Sequence, residues 1–161
     1  MSYARGDESY RRRLEVHLAQ LRRDGLVDVW SDRVVEAGSD WARDIQNRLA
    51  TADIVILLVT PDFVASRHCF EKELPEAMRR HEEEGVRILP VHVKTVDTAN
   101  LPFGKLQGLP ADLRPIVAWR HADDAWSQVA RRVREAAEEI LRTRSELSWQ
   151  RDRLGHELPG D

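Results

Sequence analysis

Residues 52–63 read Ala52-Asp53-Ile54-Val55-Ile56-Leu57-Leu58-Val59-Thr60-Pro61-Asp62-Phe63. An unbroken apolar run rich in β-branched side chains, closed by a proline, predicts a strand at 54–60. A strand with one solvated face would alternate apolar and polar positions. This one does not alternate, so both of its faces are covered, as in a parallel sheet. The run is also far short of the ~18 apolar residues that a membrane-spanning helix needs.

The flanking sequence switches to a helical period on both sides. Upstream, Tyr10, Leu14, Leu18 and Leu21 form one stripe of a helix over 7–23, with Asp7 and Glu8 at its positive end and Gly25 as its stop. Val27-Asp28-Val29-Trp30 reads as a short strand, 31–39 as a loop, and Ser39 or Asp40 as the cap of a helix whose Trp41, Ile45 and Leu49 share a face. Downstream, a helix over 69–84 carries Phe70, Leu74, Ala77, Met78 and His81 on one stripe, and Pro75 divides it. Further strands are expected at 86–93 and 116–119, separated by a loop with Pro102, Gly104, Gly108 and Pro110. A final helix over 123–144 turns Trp126, Val129, Val133, Ala137 and Ile140 inward, and 145–161 reads as a loose polar tail.

Strands alternating with helices give a flavodoxin-like α/β fold, a doubly wound parallel sheet, in one domain over 1–144. Ligands of such sheets bind beyond the carboxyl ends of the strands. The candidate functional loops are therefore 2–7, 31–39 and 60–69.

Composition bounds the function. A chain of 161 residues with 42% apolar and 33% charged residues can bury one core and is neither disordered nor a membrane protein. Twenty-five basic against 28 acidic residues, net −3, argue against a nucleic-acid binder. A single cysteine and an N-terminus without an apolar stretch predict a cytoplasmic protein held together without disulfides. The six histidines show no metal-ligand spacing. Gly104-Lys105 lacks the rest of a phosphate loop. His68 and Cys69 are sequence neighbours, about 100° apart on a helix, and so make no nucleophilic dyad. Arg11-Arg12-Arg13 and Arg131-Arg132 read as solvated surface.

Four segments together resemble the signature blocks of a TIR (Toll/interleukin-1 receptor homology) domain, in particular the prokaryotic NAD-consuming type. They are Ser2-Tyr3-Ala4-Arg5, then Trp30-Ser31-Asp32-Arg33 with Glu36-Ala37-Gly38-Ser39-Asp40-Trp41, and the 52–63 run continuing through Ser66 and Cys69 to Lys72-Glu73-Leu74. The fourth is Pro102-Phe103-Gly104-Lys105-Leu106 followed by Leu109-Pro110. The resemblance spans about residues 2–142. It implies a five-stranded sheet whose first strand precedes the Ser-Tyr pair, where this sequence has only Met1. The expectation is a start upstream of Met1, or a sheet incomplete at its centre.

The resemblance also implies a function: cleavage of NAD, as substrate rather than cofactor, to nicotinamide and linear or cyclic ADP-ribose. The context it implies is an antiviral defence or cell-suicide effector, active on self-association and answering to a sensor partner or domain. The competing expectation is a non-catalytic signalling adaptor that recruits other TIR domains. The glutamate of the Lys-Glu-Leu segment, Glu73, is implied as the catalytic residue, although periodicity alone does not separate it from Glu71. Tyr3, Ala4 and Arg5 are implied to form one wall of the nucleotide site, with Asp32, Glu36, Gly38 and Trp41 closing over it. Ser66, Cys69 and Phe70 would line the side nearest Glu73. Trp41 and Phe70 also head apolar stripes, so core packing competes with ligand contact at both.

One carboxylate suits this chemistry. Nicotinamide departs from NAD as a neutral ring from a cationic one, so its release needs no general acid, unlike ordinary glycoside hydrolysis with its two carboxyl groups. What remains is to hold the ribose hydroxyls and offset the positive charge developing on the sugar, and a carboxylate does both.

Overall fold

The computed structural model describes residues 1–29 and 41–155. A 3-10 turn, Arg5–Asp7, leads into α1 (Glu8–His17) and α2 (Ala19–Arg23). Then follow α3 (Trp41–Thr51), β1 (Ile54–Val59), α4 (Pro61–Ala65), a π-helical turn (His68–Glu73), α5 (Leu74–Glu84) and β2 (Arg87–His92). A 3-10 turn, Ile116–Ala118, precedes the long α6 (Ala122–Gly155).

β1 and β2 pair in parallel from Ile54↔Arg87 to Val59↔His92. The two faces of β1 feed different cores, as its unbroken apolar run requires. Ile56 and Leu58 pack with Leu14, Leu18, Trp126, Val129 and Val133 of the α1, α2 and α6 layer. Val55, Leu57 and Val59 pack with Phe63, Cys69, Leu74, Ala77 and Phe103 on the other side. The outer edges of the pair each carry one isolated bridge, Ser2 on β1 at Leu57 and Leu109 on β2 at Val91. This is the α/β architecture with a parallel sheet expected from the sequence, but only two of the five expected strands form as such among the described residues.

The differences have local causes. Of the strand expected at Val27–Trp30, Trp30 lies outside the described residues; residues 27–29 are not a strand, and Val27 N–H turns back to Leu21 O. The 116–119 strand is replaced by a turn. Val117 N–H reaches Val93 O, but the next two amides close on Pro115 and Ile116 instead of continuing the ladder. The helix expected over 7–23 is divided at Leu18. The last helix passes residue 144 and runs to Gly155, so 145–155, expected to be loose, is helical. Arg11, expected on the surface, is only 8% exposed. Glu8 and Glu15 both pair with its guanidinium, which offsets the cost of burying it.

Polar caps fix the connections. Thr60 accepts from Phe63 N–H at 3.0 Å to start α4, and also donates to Asp7. Buried Arg80 donates to the Leu49 and Ala52 carbonyls, at 2.5 and 2.8 Å, tying the end of α3 to α5. Gly85 ends α5 with φ of 73°, a left-handed conformation that glycine takes without steric cost.

Candidate functional site

Pro75 explains how the site is built. It has no N–H for the carbonyl of Glu71, and its ring would crowd that oxygen, so a regular α-helix cannot run through it. The chain widens instead into the π turn His68–Glu73, in which Leu74 N–H reaches back five residues to Cys69 O. α5 then starts with Pro75 in its first turn, where a missing N–H costs nothing. Ser66 Oγ accepts from Cys69 N–H at 3.3 Å and fastens the start of the turn.

The π turn separates the two glutamates that periodicity left equivalent. Glu71 faces solvent at 58% side-chain exposure beside Arg67, an ordinary i,i+4 surface pair. Glu73 is turned inward, with its side chain 13% exposed. Ser2, 71 residues away in sequence, donates its hydroxyl to Glu73 Oε2 at 2.5 Å. His68 Nε2 lies 2.9 Å from Oε1.

Ser2 itself is held by β1. Its N–H donates to Ile56 O at 2.8 Å and its carbonyl accepts from Leu58 N–H at 3.0 Å, two rungs of a parallel ladder. Tyr3 is buried, and its hydroxyl donates to Glu8 Oε2 at 3.1 Å, while its carbonyl accepts from Cys69 Sγ at 3.2 Å. Burial opposes ionisation of Glu8, but hydrogen bonds from Arg11 and Tyr3 outweigh it and hold the carboxyl below its ordinary range. Ser2, Tyr3, Cys69 and Glu73 thus meet where the N-terminal segment crosses the π turn. Buried Ala4 continues that segment, and Arg5 is exposed on the 3-10 turn. Phe70 is half-buried against the Val55, Leu57 and Leu74 cluster. Asp32, Glu36, Gly38 and the side chain of Trp41 lie outside the described residues.

A second carboxylate stands near the carboxyl end of β1. Asp7 is buried and accepts from Thr60, and its other oxygen has no hydrogen-bond partner among the described residues. Burial pushes its carboxyl up, and Asp62 adds to the rise, while the Thr60 bond and Lys94 oppose it.

A cleft of about 340 Å³ runs along the N-terminal half of β1, between Ile54–Ile56 on one side and Val27 and Val29 on the other. Leu18, Val133 and Ile140 supply apolar walls, and Ser2 and Glu73 border it as well. It follows the start of the strand, not the loops beyond the strand's carboxyl end.

Residues 1–136 match the family described as TIR domain. The chain belongs to the TIR domain family. It is also similar to the uncharacterized protein y4lF of Sinorhizobium fredii (strain NBRC 101917 / NGR234), at 42% identity over 144 residues. That match covers 89% of this chain and 45% of the relative, so this TIR chain spans less than half of the relative's length. No solved structure matches it. Within the described part of this TIR domain no helix is long and apolar enough to cross a membrane, and no cluster of three metal-ligating side chains occurs.

Two features of the site were missed from sequence. The motif that contains Ser2 carries no sequence signal that its hydroxyl meets Glu73. His68 was weighed only against its neighbour Cys69, although a proline seven residues on is the local signal that the helix there must change its pitch.

Proposed function

We propose that this TIR domain is an NAD glycohydrolase, cleaving NAD to nicotinamide and a linear or cyclic ADP-ribose product, with Glu73 as the catalytic carboxylate. One observation carries the reading: Glu73 is withdrawn from solvent and aligned by groups from two separate parts of the chain, while Glu71 is spent on a surface pair. A carboxylate held in a low-exposure setting can accept ribose hydroxyls and stabilise the cationic sugar as the bond to nicotinamide breaks. Water or a group of the nucleotide then takes the anomeric carbon, and the leaving ring needs no proton. In this reading Tyr3, Ala4 and Arg5 form one wall of the nucleotide site, and Ser66, Cys69 and Phe70 another. Asp32, Glu36, Gly38 and Trp41 close over it. TIR domains associate with one another, and this one acts in that assembled form as a cytoplasmic defence effector under a sensor.

The test is nicotinamide release from NAD by the purified chain, with Glu73→Gln and Glu71→Ala beside it. Loss of turnover confined to Glu73→Gln supports the assignment. Turnover rising more steeply than protein concentration supports the assembled form. Absence of nicotinamide release from a folded, self-associating chain refutes the proposal and favours the adaptor.

A further inference from the structure

We infer that His68 is a positioning residue for Glu73, brought over the carboxylate by the π turn. The inference rests on the proposed role of Glu73 and adds the group that holds it in its working orientation.

The geometry of the turn carries it. On an α-helix a residue five positions on lies about 140° around the axis, so residues 68 and 73 would point apart. A π turn closes on i→i+5 and is wider, so positions five apart fall much nearer to one face. The bond from Leu74 N–H to Cys69 O fixes that register, and it leaves His68 Nε2 2.9 Å from Glu73 Oε1, an electrostatic contact off the line of a hydrogen bond. Ser2 Oγ meets the other oxygen at 2.5 Å. Each carboxylate oxygen therefore faces a group of the protein. The two groups lie on separate segments, so the plane of the carboxylate is held from both sides. A glutamate has three side-chain torsions to order, and ordering them before substrate arrives spares that cost at the moment of reaction.

The same stretch contains an internal comparison. Arg67 and Glu71, at the ordinary i,i+4 spacing, make a pair with side-chain exposures of 88% and 58%. His68 and Glu73, at the π spacing, make a pair at 33% and 13%. The insertion that Pro75 enforces thus converts a surface pairing pattern into an inward one.

The experiment uses the full chain with His68→Gln, which keeps a polar N–H group at similar reach, and His68→Leu, which keeps bulk without one. A second comparison, His68→Asn against His68→Gln, holds the amide constant and changes only reach, so it remains decisive if His68→Leu does not fold. Expected are a fall in kcat of about tenfold or more in His68→Leu and His68→Asn, with KM within about twofold, and rescue in His68→Gln. The ¹³C carboxyl resonance of Glu73 moves in the same two variants and returns toward the wild-type position in His68→Gln. A Glu73 resonance unchanged in every variant overturns the clamp. A moved resonance with unchanged kcat overturns the positioning role. A wild-type chain that releases no nicotinamide refutes the function proposed for Glu73, and the resonance still decides whether His68 holds the carboxylate.

Discussion

Extending the short N-terminal segment along β1 should stabilise this protein strongly. Ser2 already makes two ladder bonds to β1, and its bridge to Leu57 fixes a parallel register. Residues placed ahead of Met1 would run past Ile56 toward Ile54, along the cleft of about 340 Å³. The perturbation is to fuse a four-residue Val/Ile run directly before Met1. Burying four Val or Ile side chains at ~2 kcal/mol each is worth up to ~8 kcal/mol. Two or three new backbone bonds add ~1 kcal/mol each. Ordering four residues costs ~1.5 kcal/mol apiece. A net gain of roughly 4 kcal/mol remains, and for a chain of this size that corresponds to a rise in Tm of about 10 °C.

The assay is thermal melting of the extended and original chains side by side, with a third chain extended by four Gly/Ser residues. The Val/Ile extension should melt about 10 °C higher and show less concentration-dependent aggregation, because an open strand edge templates association. The Gly/Ser extension should change little. Equal melting of all three would show that the edge of β1 is satisfied without a further strand and would refute the reasoning.

Three other outcomes follow from the structure. Glu73→Gln should lower turnover at least about a hundredfold, the usual loss for removing a preorganised electrostatic stabiliser, while Glu71→Ala stays within about threefold, both read as initial rates of nicotinamide release. Gly104→Ala should destabilise the fold by ~1–3 kcal/mol in chemical denaturation, because its Cβ would lie 2.2 Å from the backbone oxygen of Thr98. Asp7→Asn should melt a few degrees higher than wild type near neutral pH. Burial raises the folded pKa of Asp7 above its ordinary 3.8, so the folded chain binds that proton more tightly than the unfolded one. Stability therefore falls as pH rises through that window and stays lower above it, and the gap between the two proteins should close as pH drops toward 3.8.

The parts of the fold legible in the sequence are those whose burial is recorded in long patterns. The 54–59 run could only be a strand covered on both sides, and the stripes Leu14–Leu18–Leu21 and Trp126–Val129–Val133 could only be helices against it. What was not legible depends on competition between bonds of similar strength. Ile116-Val117-Ala118-Trp119 is apolar enough for a strand, yet Trp119 Nε1 donates to Arg114 O at 3.0 Å and the amides of residues 118 and 119 close locally. Residues 145–155 show little burial, and burial was the signal used to bound the helix. Their Arg, Glu, Gln and Leu residues favour helix by intrinsic propensity, and Arg153 lies over the Trp149 ring one turn before it. At the site, the family motif pointed to Glu73 by sequence, but which glutamate turns inward depends on the π turn, and a helical wheel drawn at 100° per residue cannot represent that change of pitch.

The edge of β1 that Ser2 occupies and the Glu73 site are mechanically one unit, because Ser2 belongs to both. Its backbone makes the two rungs on β1, and its hydroxyl makes the bond to Glu73. Any displacement of Ser2 from that ladder would remove a donor from Glu73. A segment seated along the cleft beside Ile54–Ile56 would hold Ser2 in register and, because Ser2 and Glu73 border that cleft, would also lie against the site. Mechanical coupling of this kind requires only that one short segment carry both a ladder and a hydrogen bond to the proposed catalytic carboxylate, and residues 1–4 do so.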